Sequence, residues 1–460
     1  MSTREDTTTS QPVGSRYDLV AWIASGCKPR GDWRIGTEHE KFLFYVESLK
    51  PVPYAGSRGV RALMQSLIDR FGWLPIREGD NIIALKRPEG EPGGTVSLDP
   101  GGQFELSGDP LRTVHDIGAE TQAHLDQCRA AGAPLGIGFL GVGFSPNWTL
   151  AETPRMPKQR YRVMTRYMPK VGTRGLDMMY RTCTIQVNLD FADEGDMVRK
   201  FRVALALQPV ATAIFACSPF TEGSPNTFLS LRSEVWRHTD EARTGMLPFV
   251  FEAGMGFERY ADYALKVPMY FVYRRGRYID VAGASFSDFL HGRLAQLPGE
   301  RPTLDDWSDH LTTLFPEVRM KRFLEMRGAD GGRWRRICAV PAFWTGLLYD
   351  EVALDAAWDL VKDWSAEERQ ALRDSVPRTG LRTPFRRGSV LDVARAALAI
   401  AKAGLARRAL LDAQGNDEGR FLEPVETILR EGCSPAEEML ARYAREWRGS
   451  TDPLFTEFAF

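Results

Sequence analysis

Strict alternation of apolar and polar residues is the clearest pattern in the chain. From residue 182 to 191, Cys183, Ile185, Val187, Leu189 and Phe191 alternate with Thr182, Thr184, Gln186, Asn188 and Asp190. Ten residues at period two predict a strand with one dry face and one polar face. Shorter segments repeat the pattern: 34–42, 81–86, 95–99, and 103–107 after the turn Pro100-Gly101-Gly102. Residues 135–144 read as a buried strand and 318–327 as another. Residues 269–273 and 278–281 read as a hairpin around Arg275-Gly276. Helical periodicity is predicted over 57–73, from Asp109-Pro110 to about 131, near 158–168, over about 194–217, and almost throughout from Gly332 onward.

Strands and helices intermix with few βαβ repeats, which predicts an α+β fold: a mainly antiparallel sheet, helices on its outer face, and a helical C-terminal region. Residues 1–15, polar and rich in Ser and Thr, are expected to form a disordered tail. Residues 16–350 are expected to form one α+β domain, with 351–460 as helices packed on it.

Composition narrows the function classes. The chain is 43% hydrophobic and 26% charged, with a net charge of −1. No global field favours nucleic acid or anionic membrane, so any anionic ligand must be held by local bases. The six cysteines are scattered without a CxxC pair, which suits a reducing compartment and neither zinc nor a disulfide framework. The N-terminus lacks the apolar core of a signal peptide. The apolar stretch 130–144 is too short to span a bilayer, and 204–220 is broken by Gln208-Pro209. The expectation is a cytoplasmic protein.

Four of the segments read as strands place polar groups at period two: Glu38/Glu40, Gln103/Glu105, Thr184/Gln186/Asn188 and Glu325/Arg327. Two carboxylates ~5 Å apart at an effective dielectric of ~20 repel by roughly 3 kcal/mol. A retained proton, a bound cation or open water must relieve that. A solvated strand face would explain one such pair. Four together point to an oxygen-rich, sulfur-free ligand set suited to Mg²⁺ or Mn²⁺, and so to Mg–ATP chemistry without a P-loop. Basic residues cluster at Arg155, Lys158, Arg160 and Arg162 and again at Arg232 and Arg237. They suit carboxylate or phosphate recognition, or else a solvated helix face. Gly136-x-Gly138-x-x-Gly141 matches the dinucleotide fingerprint in letters only, since strand formers fill it and Pro146 follows. The six histidines show no ligand spacing, and His39 should point away from the glutamate face.

Longer strings carry a resemblance. Ile-Gly-Thr-Glu-His-Glu-Lys-Phe (35–42), Pro-Gly-Gly-Gln-Phe-Glu-Leu-Ser-Gly (100–108), Arg-Thr-Cys-Thr-Ile-Gln-Val-Asn-Leu-Asp (181–190), Met-Leu-Pro-Phe-Val-Phe (246–251), Glu-Met-Arg-Gly-Ala-Asp-Gly-Gly (325–332) and Pro-Ala-Phe-Trp (341–344) are similar to glutamate–cysteine ligases of the plant and proteobacterial type. The similarity runs from about Tyr17 to the C-terminus. It implies joining of the γ-carboxylate of L-glutamate to the amine of L-cysteine through a γ-glutamyl phosphate, with ATP consumed, as the first step of glutathione synthesis. It implies a catalytic domain like that of glutamine synthetase, a curved antiparallel sheet forming a funnel. By the same likeness Glu38, Glu40, Glu105 and Glu325 would hold magnesium. Arg160 and Arg232 would hold glutamate's carboxylates, Tyr270 would line the cysteine pocket, and Thr184, Gln186 and Asn188 would face substrate. Arg327 could stabilise charge in phosphoryl transfer. Plant members carry a cysteine where Gly118 stands, paired with the equivalent of Cys338, and a second regulatory pair where Val281 and Gln296 stand. This chain can form neither bridge. Two other readings remain open at this point: a related ligase using another amine, and a non-catalytic glutamate-binding regulator.

Overall fold

Strand β1 (Ile35–Tyr45) organises the molecule. The computed structural model describes residues 11–460. After β1 come β2 (Leu74–Glu78), β3 (Asn81–Lys86), β4 (Thr95–Leu98), β5 (Phe104–Ser107), β6 (Ile137–Leu140), β7 (Thr184–Leu189), β8 (Val318–Met320) and β9 (Leu324–Asp330). They form one nine-stranded sheet in the order β8-β9-β7-β1-β5-β4-β3-β2, with β6 pairing the far half of β1. Every ladder in it is antiparallel. The one parallel pairing among the described strands joins 244–245 to 315–316.

The α+β expectation holds, but the funnel does not. The sheet is open, with β8 and β2 as its two ends, and no sheet is curled or closed into a funnel. Closure requires edge strands that meet with a fixed stagger; here the edges are strands of three and five residues at opposite ends of the path. Alternation along a strand decides which face is dry. It does not decide curvature.

The dry face carries helices. Helix α1 (Val60–Phe71) packs on β3, α2 (Val114–Gly132) on β6, α4 (Glu194–Ile214) on β9, and α5 (Trp334–Leu348) on β7 and β1. The principal core runs from Ile35 and Val187 through the whole of α4 to Leu429, so the helices after residue 350 share it. On the polar face lies α3 (Gln159–Val171), whose Tyr161 hydroxyl donates to Leu98 O at 2.7 Å. No single helix among the described residues is long and apolar enough to cross a membrane.

Several boundaries differ from expectation for identifiable reasons. Of the tail expected over 1–15, residues 1–10 lie outside the described residues, while Val13 is buried and its N–H donates to Pro302 O at 2.9 Å. Helix α2 starts at Val114 rather than at Asp109-Pro110. Thr113 caps it reciprocally with Asp116, and Leu111 is committed to backbone bonds with Ile35. The stretch 318–327 is a hairpin, reversing at 321–323, and not one strand. β9 then bulges between Met326 and Ala329. Gln208 and Thr212 of α4 satisfy the freed Gly328 N–H and C=O at 2.8 and 3.0 Å, and a Cβ at Gly328 would collide with Gln208. The expected hairpin forms at 271–280 with Arg275 and Gly276 both at positive φ, the backbone of a type I′ turn.

All six cysteines are free thiols. Gly118 on α2 faces Cys338 on α5: a Cβ at 118 would stand 4.0 Å from Cys338 Sγ and 3.2 Å from the Phe421 ring.

Candidate active site

The polar face of five adjacent strands, β9-β7-β1-β5-β4, gathers the site. Register sets it: Glu40 pairs with Glu105 across β1/β5, and Glu38 with Gln186 across β1/β7. Residues directly opposite point to the same face. Glu40, Asp99 and Glu105 converge so that one oxygen of each lies within 4.8 Å of the others, a set able to hold a divalent cation. Burial, reinforced by Asp99 and Glu105, pushes the Glu40 carboxyl well above the ordinary carboxylate range. A cluster that keeps a proton for want of counter-charge has the donor chemistry of a hard, doubly charged ion.

The structure treats the expected ligands unequally. Glu38 lines the same cavity and accepts from Asn188 Nδ2 at 3.0 Å and Gln186 Nε2 at 3.3 Å. Thr184 presents its N–H to Glu40 at 2.9 Å and its hydroxyl to Ala329 O at 2.7 Å. Gln186 thus ties Glu38 to Arg327, whose guanidinium donates to Gln186 Oε1 and Glu325. Glu325 is not among the converging carboxylates. It is fully buried and ion-paired to Arg319 at 2.7 Å, to Lys321 at 3.0 Å and to Arg327. Burial alone would raise its pKa; these three cations override that and hold it well below the ordinary range.

Of the bases, Arg232, Arg319 and Arg327 line the cavity, as do Trp236 and Phe315. Arg327 lies over both rings, at 5.6 and 5.7 Å. Arg232 donates through one Nη to Arg327 O at 2.8 Å, while its buried Nε has no partner. Arg160 does not line that cavity; it stacks on Phe271 at 4.9 Å and reaches Thr312. Tyr270 is also outside the lining, buried beneath the Arg243 guanidinium at 3.9 Å. Arg155 lies over Tyr180, Arg162 is exposed, and Arg237 pairs with Glu234 and Asp374.

Sequence reasoning passed over Asp99 and Arg319. Asp99 ends the alternation Thr95, Ser97, Asp99 opposite Gln103 and Glu105, so the signal was present in the hairpin register. Lys158 is buried, and burial lowers its pKa to about 8 against the opposing pull of Asp99. His39 does point away from the glutamate face, hydrogen-bonded through Nδ1 to the buried Lys41 ammonium at 3.0 Å, which also meets His124 at 2.9 Å.

Comparison with known proteins matches the sequence to a family. Glutamate–cysteine ligase B, chloroplastic, of Oryza sativa subsp. japonica is 56% identical over 458 residues, covering 100% of this chain and 90% of its own length. The chloroplastic glutamate–cysteine ligases of Nicotiana tabacum and Arabidopsis thaliana are each 55% identical, covering 99% and 100% of this chain and 85% of their own lengths. A solved glutamate–cysteine ligase from Francisella tularensis, in complex with AMP, superposes with a TM-score of 0.52 at 11% identity over 93% of this chain and 89% of that one, a likeness of fold alone. The cytoplasmic expectation is corrected by these names: the plant relatives are chloroplastic, and scattered cysteines without a pairing pattern do not distinguish one compartment from another. Residues 34–457 match Glutamate-cysteine ligase family 2, and the chain belongs to that family.

Proposed function

We infer that this chain joins the γ-carboxylate of L-glutamate to the amine of L-cysteine at the expense of ATP, the first step of glutathione biosynthesis. The observation that carries the reading is one cavity lined by Glu38, Glu40 and Asp99 together with Arg232, Arg319 and Arg327, with Glu105 converging on Glu40 and Asp99. Acidic and basic groups on one concave face suit a reaction that gathers phosphates and carboxylates together.

Mg²⁺ or Mn²⁺ held by Glu40, Asp99 and Glu105, with Glu38 beside them, would neutralise phosphate charge. The remaining work falls to the protein's own side chains. Arg232, with an unpartnered buried Nε, offers a fork to a carboxylate of glutamate. Arg327, lying over Trp236 and Phe315 and steered by Glu325 and Gln186, is placed to meet negative charge as the γ-phosphoryl group moves to glutamate. Cysteine's amine then attacks the acyl phosphate and phosphate leaves. Phosphoryl transfer asks for positioning and charge neutralisation rather than a side-chain nucleophile, which agrees with a cavity without a lining Ser, Cys or His. Thr184, Gln186 and Asn188 act chiefly by fixing Glu38, Glu40 and Arg327. Arg160 and Tyr270 act from outside the cavity wall.

The test is phosphate release from ATP with glutamate and a panel of amines, with and without Mg²⁺. Release that requires both Mg²⁺ and cysteine is expected. Equal rates with other amines would give the acceptor a different identity, and glutamate binding without turnover would make the chain a regulator.

A further inference from the structure

A second cavity opens away from the carboxylate face, at the N-terminal end of α5. It is a half-open hollow of about 510 Å³ walled by Arg129, Arg333, Trp334, Arg335, Arg336 and Phe460. Four guanidinium groups line it and no acidic side chain does. Their partners lie outside and neutralise them weakly. Arg335 meets Glu423 at 3.4 Å with both side chains about 70% exposed, and Arg336 is 3.6 Å from Glu438. Arg129 pairs with Asp126 in an exposed contact. The Arg335 and Arg129 pairs are exposed and contribute little, whereas Arg336 is largely buried and also donates to Cys217 Sγ at 3.7 Å. Arg333 makes no ion pair among the described residues and rests on the Phe458 ring at 4.8 Å. Burial, and then repulsion from Arg336, disfavour its charge. Trp334 Nε1 is buried at the same place without a hydrogen-bond partner. Arg333 caps α5 with no side-chain bond; the Arg336 N–H is met by Arg333 O at 2.8 Å, which leaves the first two N–H groups of the helix at this end.

We propose that this cavity binds a small molecule carrying two or more phosphate groups, at a site distinct from the ATP site on the carboxylate face. Four arginine forks around one hollow, beside the positive end of α5, are matched by an anion with several oxygens at once. A single carboxylate would leave most of these donors unmet. The concave shape favours a small ligand, and Trp334 and Phe460 give a nucleoside base an apolar wall.

Equilibrium dialysis in EDTA removes metal-dependent binding on the carboxylate face, and Arg232→Lys reports whatever anion binding the arginines of that face retain. Inorganic pyrophosphate and ADP are the probes, against the wild type and an Arg333→Gln/Arg335→Gln variant whose altered side chains are exposed and leave the core intact. Saturable binding near one per chain is expected, weakened at least tenfold in the variant, with ligase activity at low phosphate kept within twofold. Tighter ADP than pyrophosphate assigns a nucleotide as the ligand; equal affinities assign free polyphosphate. Absence of saturable binding in EDTA overturns the proposal. So does binding that survives in the variant but is lost in Arg232→Lys, which would place it on the carboxylate face. Because binding is read without turnover, failure here leaves the ligase reading untouched.

Discussion

Replacing Gly118 by cysteine should create a disulfide that the wild-type chain cannot form. The Cβ added at 118 would stand 4.0 Å from Cys338 Sγ, whereas a bridge needs about 3 Å between these atoms, so the two helices must close by roughly 1 Å. The Phe421 ring, 3.2 Å from the new Cβ, must yield as well. Those adjustments cost about 1–3 kcal/mol. Against them, closing a loop of about 220 residues removes denatured-state entropy worth about 5 kcal/mol. A net gain of about 2–4 kcal/mol remains, which for a chain of this length raises Tm by about 2–4 °C. Formation will be slow, since burial pushes the Cys338 thiol up to about 12 and leaves on the order of one thiolate in ten thousand at pH 8. The assay is overnight oxidation at pH 8.5, denatured thiol titration, and thermal unfolding with and without dithiothreitol. Loss of two thiols per chain with a reversible rise in Tm is expected. Persistence of every thiol, or a bridge mapped to another cysteine, would refute the packing of α2 against α5 described above. The wild type, under the same oxidant, should keep its activity within about twofold, on the order of 0.4 kcal/mol in barrier.

Three further outcomes can be checked. Asp99→Asn keeps an acceptor for the Tyr161 hydroxyl but removes one of three converging charges; Mn²⁺ affinity by titration should fall at least tenfold, about 1.4 kcal/mol, and unchanged binding would remove Asp99 from the ligand set. Arg232→Lys keeps the charge and loses the fork, so the KM for glutamate should rise about ten- to a hundredfold while that for ATP changes far less; equal losses would assign Arg232 to phosphate. Burial holds His310 at about 4, so the native state stays neutral while the unfolded chain takes up a proton below about 6.5. Stability from this residue is therefore present above that pH and lost as pH falls, by about 2 kcal/mol at pH 5. His310→Gln, which retains a donor for Ala264 O, should flatten the fall in urea titrations at pH 7.5 and 5, and an identical slope would contradict the assignment.

How much of this was readable in the chain depends on what period two can say. It located β7 and its polar face, and it put Glu38 and Glu40 side by side, because face alternation is a local property of a strand. It could not say which carboxylates would converge, since that depends on hairpin register. Asp99 joined the cluster through the β4/β5 turn, and Glu325 was drawn into ion pairs by Arg319 on a strand read as part of its own. The turn at 321–323 has no Gly, Pro, Asn or Asp to announce it. Arg160 stacks on Phe271 and Tyr270 packs under Arg243, contacts that no spacing rule encodes. Sheet curvature was never in the pattern and came only with the resemblance.

β1 is hydrogen-bonded along both edges, to β5 on one side and to β7 and β6 on the other. Its amide protons can therefore exchange with solvent only when neighbouring ladders open too. A slip of one residue would turn Glu38 and Glu40 into the dry layer and bring His39 and Lys41 out, so partial displacement of the strand offers no intermediate arrangement. Motion during turnover must then come from the periphery, such as the hairpin at 271–280, while the strand that carries the acids keeps still. In a hydrogen-exchange experiment the slowest protons of the molecule should coincide with its chemistry, an inversion of the usual arrangement in which reactive groups ride on the most mobile loops.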